Sequence, residues 1–379
     1  MRATTAILCL TALVAGSLAS PANNDKCNPP SGEVGAVFAL TNVAADNQVI
    51  AFSRDQSGKL TQTGQYSTGG RGQGVDFDTQ GGLILSDNRR FLYAVNPADD
   101  KISVFSASGS CLNLIQVVDG GDQPLSITLN NGFAYVLDGS VATTQITGFR
   151  VSGDGTLQPL ANSTKPLSSL IGAPGVIQFS PDGKAIIVTQ KVGSSIDVFS
   201  VGSDGLATGP IAVAASSGPR PFGATFRNDG VLFVVESGLP SFMNAGLSTY
   251  QFDSSTGALA PITMSAKNRQ TDGCWVILTK DDKFAYTANF VSGSIASYSV
   301  SPDGSVTLIN GQAAFPGTTS NPVDLAMSDD GQFLYDLLRG TGGVEGWQIE
   351  QDGSINSLGV FGVGGGLPIN NGASGLAAF

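Results

Sequence analysis

The stretch APGVIQFSPDGKAIIVTQKVGSSIDVFSVGSDG (residues 173–205) holds three short apolar runs separated by turn formers. Residues 176–179, 185–189 and 196–201 are rich in β-branched and aromatic side chains and are too short for helices. They are bounded by Ser180-Pro181-Asp182-Gly183 and Ser203-Asp204-Gly205. That pattern predicts consecutive antiparallel strands. Pro181 sets φ for the first turn position, and Asp182 and Gly183 suit the positions that follow. A weaker fourth strand fits residues 207–215, so one four-stranded sheet takes about 50 residues.

The same phrase recurs along most of the chain. Phe179 has counterparts at Leu85, Leu129, Phe226, Leu278, Met327 and Phe379, at spacings of 44 to 52 residues. Polar turns such as Asn228-Asp229-Gly230 and Ser328-Asp329-Asp330-Gly331 follow. Each leads into a strand of one type: FLYAVN (91–96), FAYVLD (133–138), VLFVVE (231–236), FAYTAN (284–289) and FLYDLL (333–338). A later turn returns as Ser152-Gly153-Asp154-Gly155, Pro302-Asp303-Gly304 and Asp352-Gly353. The second strands are almost continuously apolar, as expected of a sheet pressed between two others. Periodic sheets of this kind predict a propeller.

The two ends of the chain complement each other. Residues 34–42 and 48–53 match the second and third strands of the unit and 60–66 the fourth, so the first sheet lacks its innermost strand. ASGLAAF (373–379) follows the pattern of APGVIQF (173–179) and is expected to supply it. The fold read from the sequence is all-β: a seven-bladed β-propeller over residues 34–379, four antiparallel strands per blade, with the C-terminal strand innermost in blade 1.

Composition limits the function. The net charge is −11, and no basic patch or aromatic-basic motif appears, so a nucleic-acid partner is not expected. The chain has no histidine, which removes a Ser-His-acid triad and any His metal cluster; its four cysteines are too dispersed for structural zinc, and no metal or cofactor is expected. Residues 1–19 read as a secretory signal peptide, with one Arg, an apolar segment and Ser17-Leu18-Ala19 as the cleavage site; residues 20–33 follow as a flexible leader. No later run approaches the about 20 apolar residues of a membrane span. The expectation is therefore a secreted, extracellular monomer without a transmembrane segment. Cleavage leaves Cys27, Cys111 and Cys274; a Cys27–Cys111 bond would staple the leader to a blade, and Cys274 reads as a small buried hydrophobe. Asn162-Ser163-Thr164 is a glycosylation sequon.

Strand connectivity gathers the second-to-third loops and the links between blades on one face. The ends of second strands place Asn42, Asn96, Asp138, Gln190, Glu236 and Asn289 there, and the links contribute Arg71, Arg220, Arg269, Asp272, Asn321 and Asp324. Each also has a plain reading: Asn96, Gln190 and Asn289 as ties between loops, Arg220 as a donor to carbonyls between blades, Asp76 as a turn or surface acid. Trp275 reads as core between blades. The expanded loop 237–246 carries Phe242 and Met243, which either cover a ligand or pack on a neighbouring blade.

The runs GAPGVIQFSPDGKAIIVTQ (172–190), GPRPFGATFRNDGVLFVVE (218–236) and CWVILTKDDKFAYTANFVSGSIASYSV (274–300) resemble the lactonase family of seven-bladed propellers. That family includes bacterial 6-phosphogluconolactonases and fungal carboxymuconate-lactonizing enzymes, and the chain is similar to its secreted fungal or microbial branch. The resemblance covers the chain from about residue 34 onward. Family enzymes hold a cluster of His, Arg and Glu at one face of the channel. The family phrase has a histidine after Gly-Pro-Arg; here Gly218-Pro219-Arg220 is followed by Pro221, so the arginine carries over and the histidine does not. Glu236 is the match for the acidic residue. The resemblance thus implies hydrolysis or formation of a small acidic lactone. Arg220 and Glu236 would be catalytic, and Arg71, Arg269, Asp324, Gln190 and Asn289 would contact the substrate. A non-catalytic propeller that binds a small ligand, a glycan or a protein through the same face is the competing expectation.

Overall fold

The computed structural model describes residues 27–140 and 143–379. The expected signal peptide and the first half of the leader, residues 20–26, lie outside them. Seven sheets surround a central channel, and the expected blade order holds throughout. Blade 4, for example, is Pro174–Phe179, Ala185–Gln190, Ser195–Val201 and Ala207–Ala215, in that order outward from the axis. No helix is assigned among the described residues, so none is long and apolar enough to cross a membrane.

The tail closes the ring. Leu376–Ala378 pairs antiparallel with Gly35–Leu40, with Ala39 opposite Leu376 and Val37 opposite Ala378. Gly375 is needed at the start of this strand: its φ is +105°, and a Cβ there would lie 2.8 Å from the Leu83 side chain of blade 2. At the far end, the Arg54 guanidinium donates to the Phe379 carbonyl (3.4 Å) and to Asp330 of blade 7 (3.1 Å), joining the tail to its neighbours on both sides.

The tyrosine of the recurring second strand stitches blade to blade. Tyr93, Tyr135, Tyr286 and Tyr335 are fully buried, and their hydroxyls donate to the carbonyls of Gly155, Gly205, Gly353 and Gly58 at 2.8–3.1 Å. Each acceptor is the turn glycine of the following blade, so the last of these bonds joins blade 7 to blade 1. A buried phenol needs such a partner, which explains why the tyrosine and the later turn recur in step.

Blade 3 departs from the repeat. Its outermost strand is two fragments, Leu157–Pro159 and Lys165–Pro166, both paired with Gln145–Val151. Proline has no N–H for the ladder. The bulge between the fragments is held by Ser163, whose Oγ accepts from the Gly148 amide at 2.9 Å and donates to the Gly148 carbonyl. Asn162 sits exposed on this bulge.

Cys27 and Cys111 are bonded across 84 residues of sequence, and Cys274 is free and buried. Beside that bond, the Glu33 carboxylate accepts from the Ser110 amide (2.9 Å) and hydroxyl (2.6 Å). A cross-link over a loop of this length restricts the unfolded chain, worth about 2–4 kcal/mol. Cys111→Ser is therefore expected to lower stability by about that amount without disturbing the blades. A denaturant melt of both proteins checks it; a midpoint unchanged by the substitution would refute it.

Candidate functional site

Side chains alternate between faces along a strand, and this separates neighbours at the end of each second strand. Gln190, Glu236 and Asn289 are fully buried inside their blades, whereas the residues after them, Lys191, Ser237 and Phe290, turn to the channel mouth beside Arg339 of blade 7. The inward set ties loops together. Gln190 donates to Ser168 Oγ at 2.7 Å, Asn289 accepts from Asn268 at 2.9 Å, and Asn96 accepts from Thr68 and Asn47 while donating to Ser103. The Glu236 carboxylate accepts from Ser265 Oγ at 2.9 Å, and burial pushes its pKa up to about 7 against the pull of Ser248, Ser265 and Lys267. No ion pair joins it to Arg220 among the described residues.

Three cations from three parts of the ring meet at the mouth. Lys191 is almost wholly buried, lies 4.5 Å from the centre of the Phe222 ring, and donates to Asp78 Oδ2 at 2.6 Å. Arg339, equally buried, stacks on Phe290 at 4.3 Å and pairs with Asp76. Arg220 is more open, with 32% of its side chain exposed; its Nε donates to Ser237 Oγ at 3.2 Å, and its Nη2 stands 4.0 Å from Asp78 Oδ2. Asp272 completes the group. Burial and the neighbouring Asp78 push its carboxyl above the usual range, while Arg220 and Ser237 hold it down.

The backbone aims two of these residues. Gln123, Ala173, Arg220, Asp272 and Asn321 each precede the innermost strand of a blade, and each has φ between +47° and +64°. Left-handed backbone costs a non-glycine residue about 1 kcal/mol or more. In blades 5 and 6 this repeated kink places Arg220 and Asp272 side by side.

The acids facing the cations come from the long Gly-rich link between blades 1 and 2. Its residues 75–82 cross the channel as a strap. Asn42 donates to the Val75 carbonyl at 2.7 Å, Thr79 Oγ1 to the Leu125 carbonyl of blade 3 at 2.9 Å, and the Gln80 amide to the Gly175 carbonyl of blade 4 at 2.9 Å. The Gln80 side chain reaches the Val276 carbonyl of blade 6 at 3.4 Å, and the Ile127 amide donates to the Gly81 carbonyl. Phe77 is buried beneath, against Leu83 and Val95 in the same core. Asp324 holds the other side: it is buried in the wall of blade 7, accepts from the Gly375 amide and faces the Gly81 amide, and burial pushes its pKa up to about 7.

The remaining expected residues spread out. Arg71 is exposed over the blade 2 loop, donating to the Ala98 carbonyl at 3.4 Å with Asp99 4.0 Å away. Arg269 is exposed on the link between blades 5 and 6. Phe242 and Met243 are exposed at 74% and 65%, and Trp275 is buried against Phe222, ring centres 5.2 Å apart. The structure thus brings Arg220 together with Asp272 and adds Lys191, Arg339, Asp76 and Asp78. Lys191 and Arg339 could have been found in the sequence as the residues directly after two second strands; the strap acids carried no periodic signal. At the other end of the channel a cavity of about 440 Å³ is lined by Leu85, Phe226, Leu278 and Met327 together with polar side chains such as Asn228, Thr279 and Asp282. At its rim Asp329 pairs with both Arg89 and Lys280.

The family described as "Lactonase, 7-bladed beta-propeller" matches residues 42–165 and 238–364 of this chain. This protein belongs to that family. A 6-phosphogluconolactonase of Serratia proteamaculans is 24% identical over 279 residues, 71% of this chain and 80% of that relative. Among solved structures, a protein from Lactobacillus plantarum superposes with a TM-score of 0.71 at 16% identity, covering 91% of this chain and 99% of its own. A periplasmic gluconolactonase of Pseudomonas aeruginosa gives a TM-score of 0.67 at 14% identity, covering 91% and 98%. At these identities the structural matches speak for the fold.

Proposed function

We propose that this protein is an extracellular lactone-processing enzyme whose reaction takes place at the channel mouth between Arg220 and Asp272. The observation that carries the reading is their convergence: a partly open guanidinium bonded to Ser237 stands beside a carboxyl whose pKa is raised by burial. In hydrolysis, the Arg220 guanidinium polarises the lactone carbonyl and stabilises the oxyanion. Asp272 takes a proton from water as the water oxygen bonds to the carbonyl carbon. The ring C–O bond then breaks, and the departing oxygen recovers that proton from Asp272. A raised pKa makes this carboxylate a stronger base than an ordinary aspartate, and the step uses no histidine. Glu236 and Gln190 are assigned a supporting role, since both face into their blades. The signal-peptide pattern of residues 1–19, the Cys27–Cys111 bond and the exposed sequon at Asn162 support a place outside the cell.

Each hydrolytic turnover releases an acid, so a panel of lactones can be followed by base uptake at constant pH. Arg220→Ala is expected to lower kcat by about 100-fold or more, the usual loss for an oxyanion donor. Asp272→Asn should have an effect at least as large, and Glu236→Gln a smaller one. The strap filling the channel favours the second reading, a non-catalytic propeller that holds a small ligand, a glycan or a protein at this face. Saturable binding with no turnover of any lactone would decide for it.

A further inference from the structure

The mouth holds three cations, Lys191, Arg220 and Arg339, and three carboxylates, Asp76, Asp78 and Asp272. Two of the carboxylates belong to the strap and meet all three cations. We infer that Asp76 and Asp78 select ligands by charge: they occupy the cationic groups, so that the mouth takes an uncharged lactone and turns away an anionic one. This rests on the reading of the mouth as a lactone site, and it narrows the substrate class from the acidic lactones expected from sequence.

The geometry favours a permanent occupant over a lid. The strap is bonded to blade 1 through Asn42, to blade 3 through Thr79 and Gly81, to blade 4 through the Gln80 amide and to blade 6 through the Gln80 side chain. Phe77 anchors it in the core beneath. Lys191 also donates to the main-chain carbonyl of Asp78, so the pairing is fixed through backbone as well as side chain. An anionic ligand would have to displace carboxylates that are part of the wall or lie beside them, and like charges brought together in a partly buried site repel strongly. A neutral lactone avoids both. Its carbonyl needs only the donors that Arg220 still presents to solvent, since the close bond of that side chain is to Ser237.

The test removes the two charges and keeps their shape. Asp76→Asn combined with Asp78→Asn in the full chain leaves the cations without counter-charge. Inorganic phosphate, titrated by calorimetry, is expected to bind this variant at least about 10-fold more tightly than the unaltered protein. In parallel, the ratio of kcat/KM for a phosphorylated aldonolactone to that for its uncharged parent should rise by about the same factor. Equal phosphate affinity in the two proteins overturns the inference. So does phosphate binding by the unaltered protein that Lys191→Met abolishes, a measurement that stands even where the double variant fails to fold. If neither protein turns over any lactone while phosphate affinity rises as expected, the charge selection holds and the enzymatic reading falls.

Discussion

A chain lacking residues 376–379 is expected to lose most of its stability and to be recovered mainly as aggregate. Within these four residues Leu376–Ala378 forms the innermost strand of blade 1. Without them the edge of Gly35–Leu40 is left unpaired, with Val37, Phe38 and Ala39, all fully buried in the closed ring, beside a newly opened seam. Leu376 and Ala377 are lost from the cores shared with blades 7 and 2, and Arg54 loses the Phe379 carbonyl. Burying one leucine is worth about 1.5–3 kcal/mol, and several backbone bonds go with it. The sum is about 5 kcal/mol or more, within the range of a whole domain's stability. An unpaired, flat apolar edge also invites association between chains. Leu376→Ala is the milder control, expected to cost about 2–4 kcal/mol. Thermal melts and size-exclusion profiles of both variants check this. A truncated chain that stays monomeric and melts with the parent would show that the ring does not depend on the tail.

The second large effect is with pH. Asp138, Glu236 and Asp324 are buried, and desolvation raises the pKa of each to about 7 against the hydrogen bonds that pull it down. In the unfolded chain the same groups titrate near 4. A carboxyl with a raised folded pKa favours folding when protonated. Its contribution is therefore complete below about pH 4 and is lost as pH rises through about 7. Acids held low by arginine partners, such as Asp229 with Arg227 and Asp329 with Arg89, act in the opposite sense, and their contribution fades as pH falls through their depressed pKa values. Stability should thus peak near pH 5, with a melting temperature roughly 5 °C above that at pH 8. Glu236→Gln keeps the shape of the side chain and removes its ionisation. It should raise the pH 8 value by about 2 kcal/mol and change the pH 5 value little. A parent protein more stable at pH 8 than at pH 5 would contradict the burial argument for these three acids.

Seven blades, their strand order and the tail completing blade 1 were readable because each rests on a local, repeated pattern. Alternation and turn chemistry act within a few residues, and a repeat tests the same reading many times. The FxY phrase even carried the stitch between blades, although the partners of its hydroxyls, Gly58, Gly155, Gly205 and Gly353, became apparent only with the sheets assembled. The split outer strand of blade 3 was the exception within the repeat, caused by prolines at its two fragments.

The amino-acid order alone was enough for the ring, its closure and the face where Arg220 would lie. It did not settle which side chains look into the mouth. Glu236 and Ser237 are adjacent, and a strand of period two sends one inward and the other to the channel; the phase is fixed by where pairing stops, which depends on the neighbouring strand. Nor could it place Asp76 and Asp78 against Lys191 and Arg339, because the strap repeats nothing and its path is set by bonds to blades 1, 3, 4 and 6. Local pattern determines what recurs, while the charge pairing at this site comes from contacts between residues more than 100 positions apart, which exist only once the ring has closed.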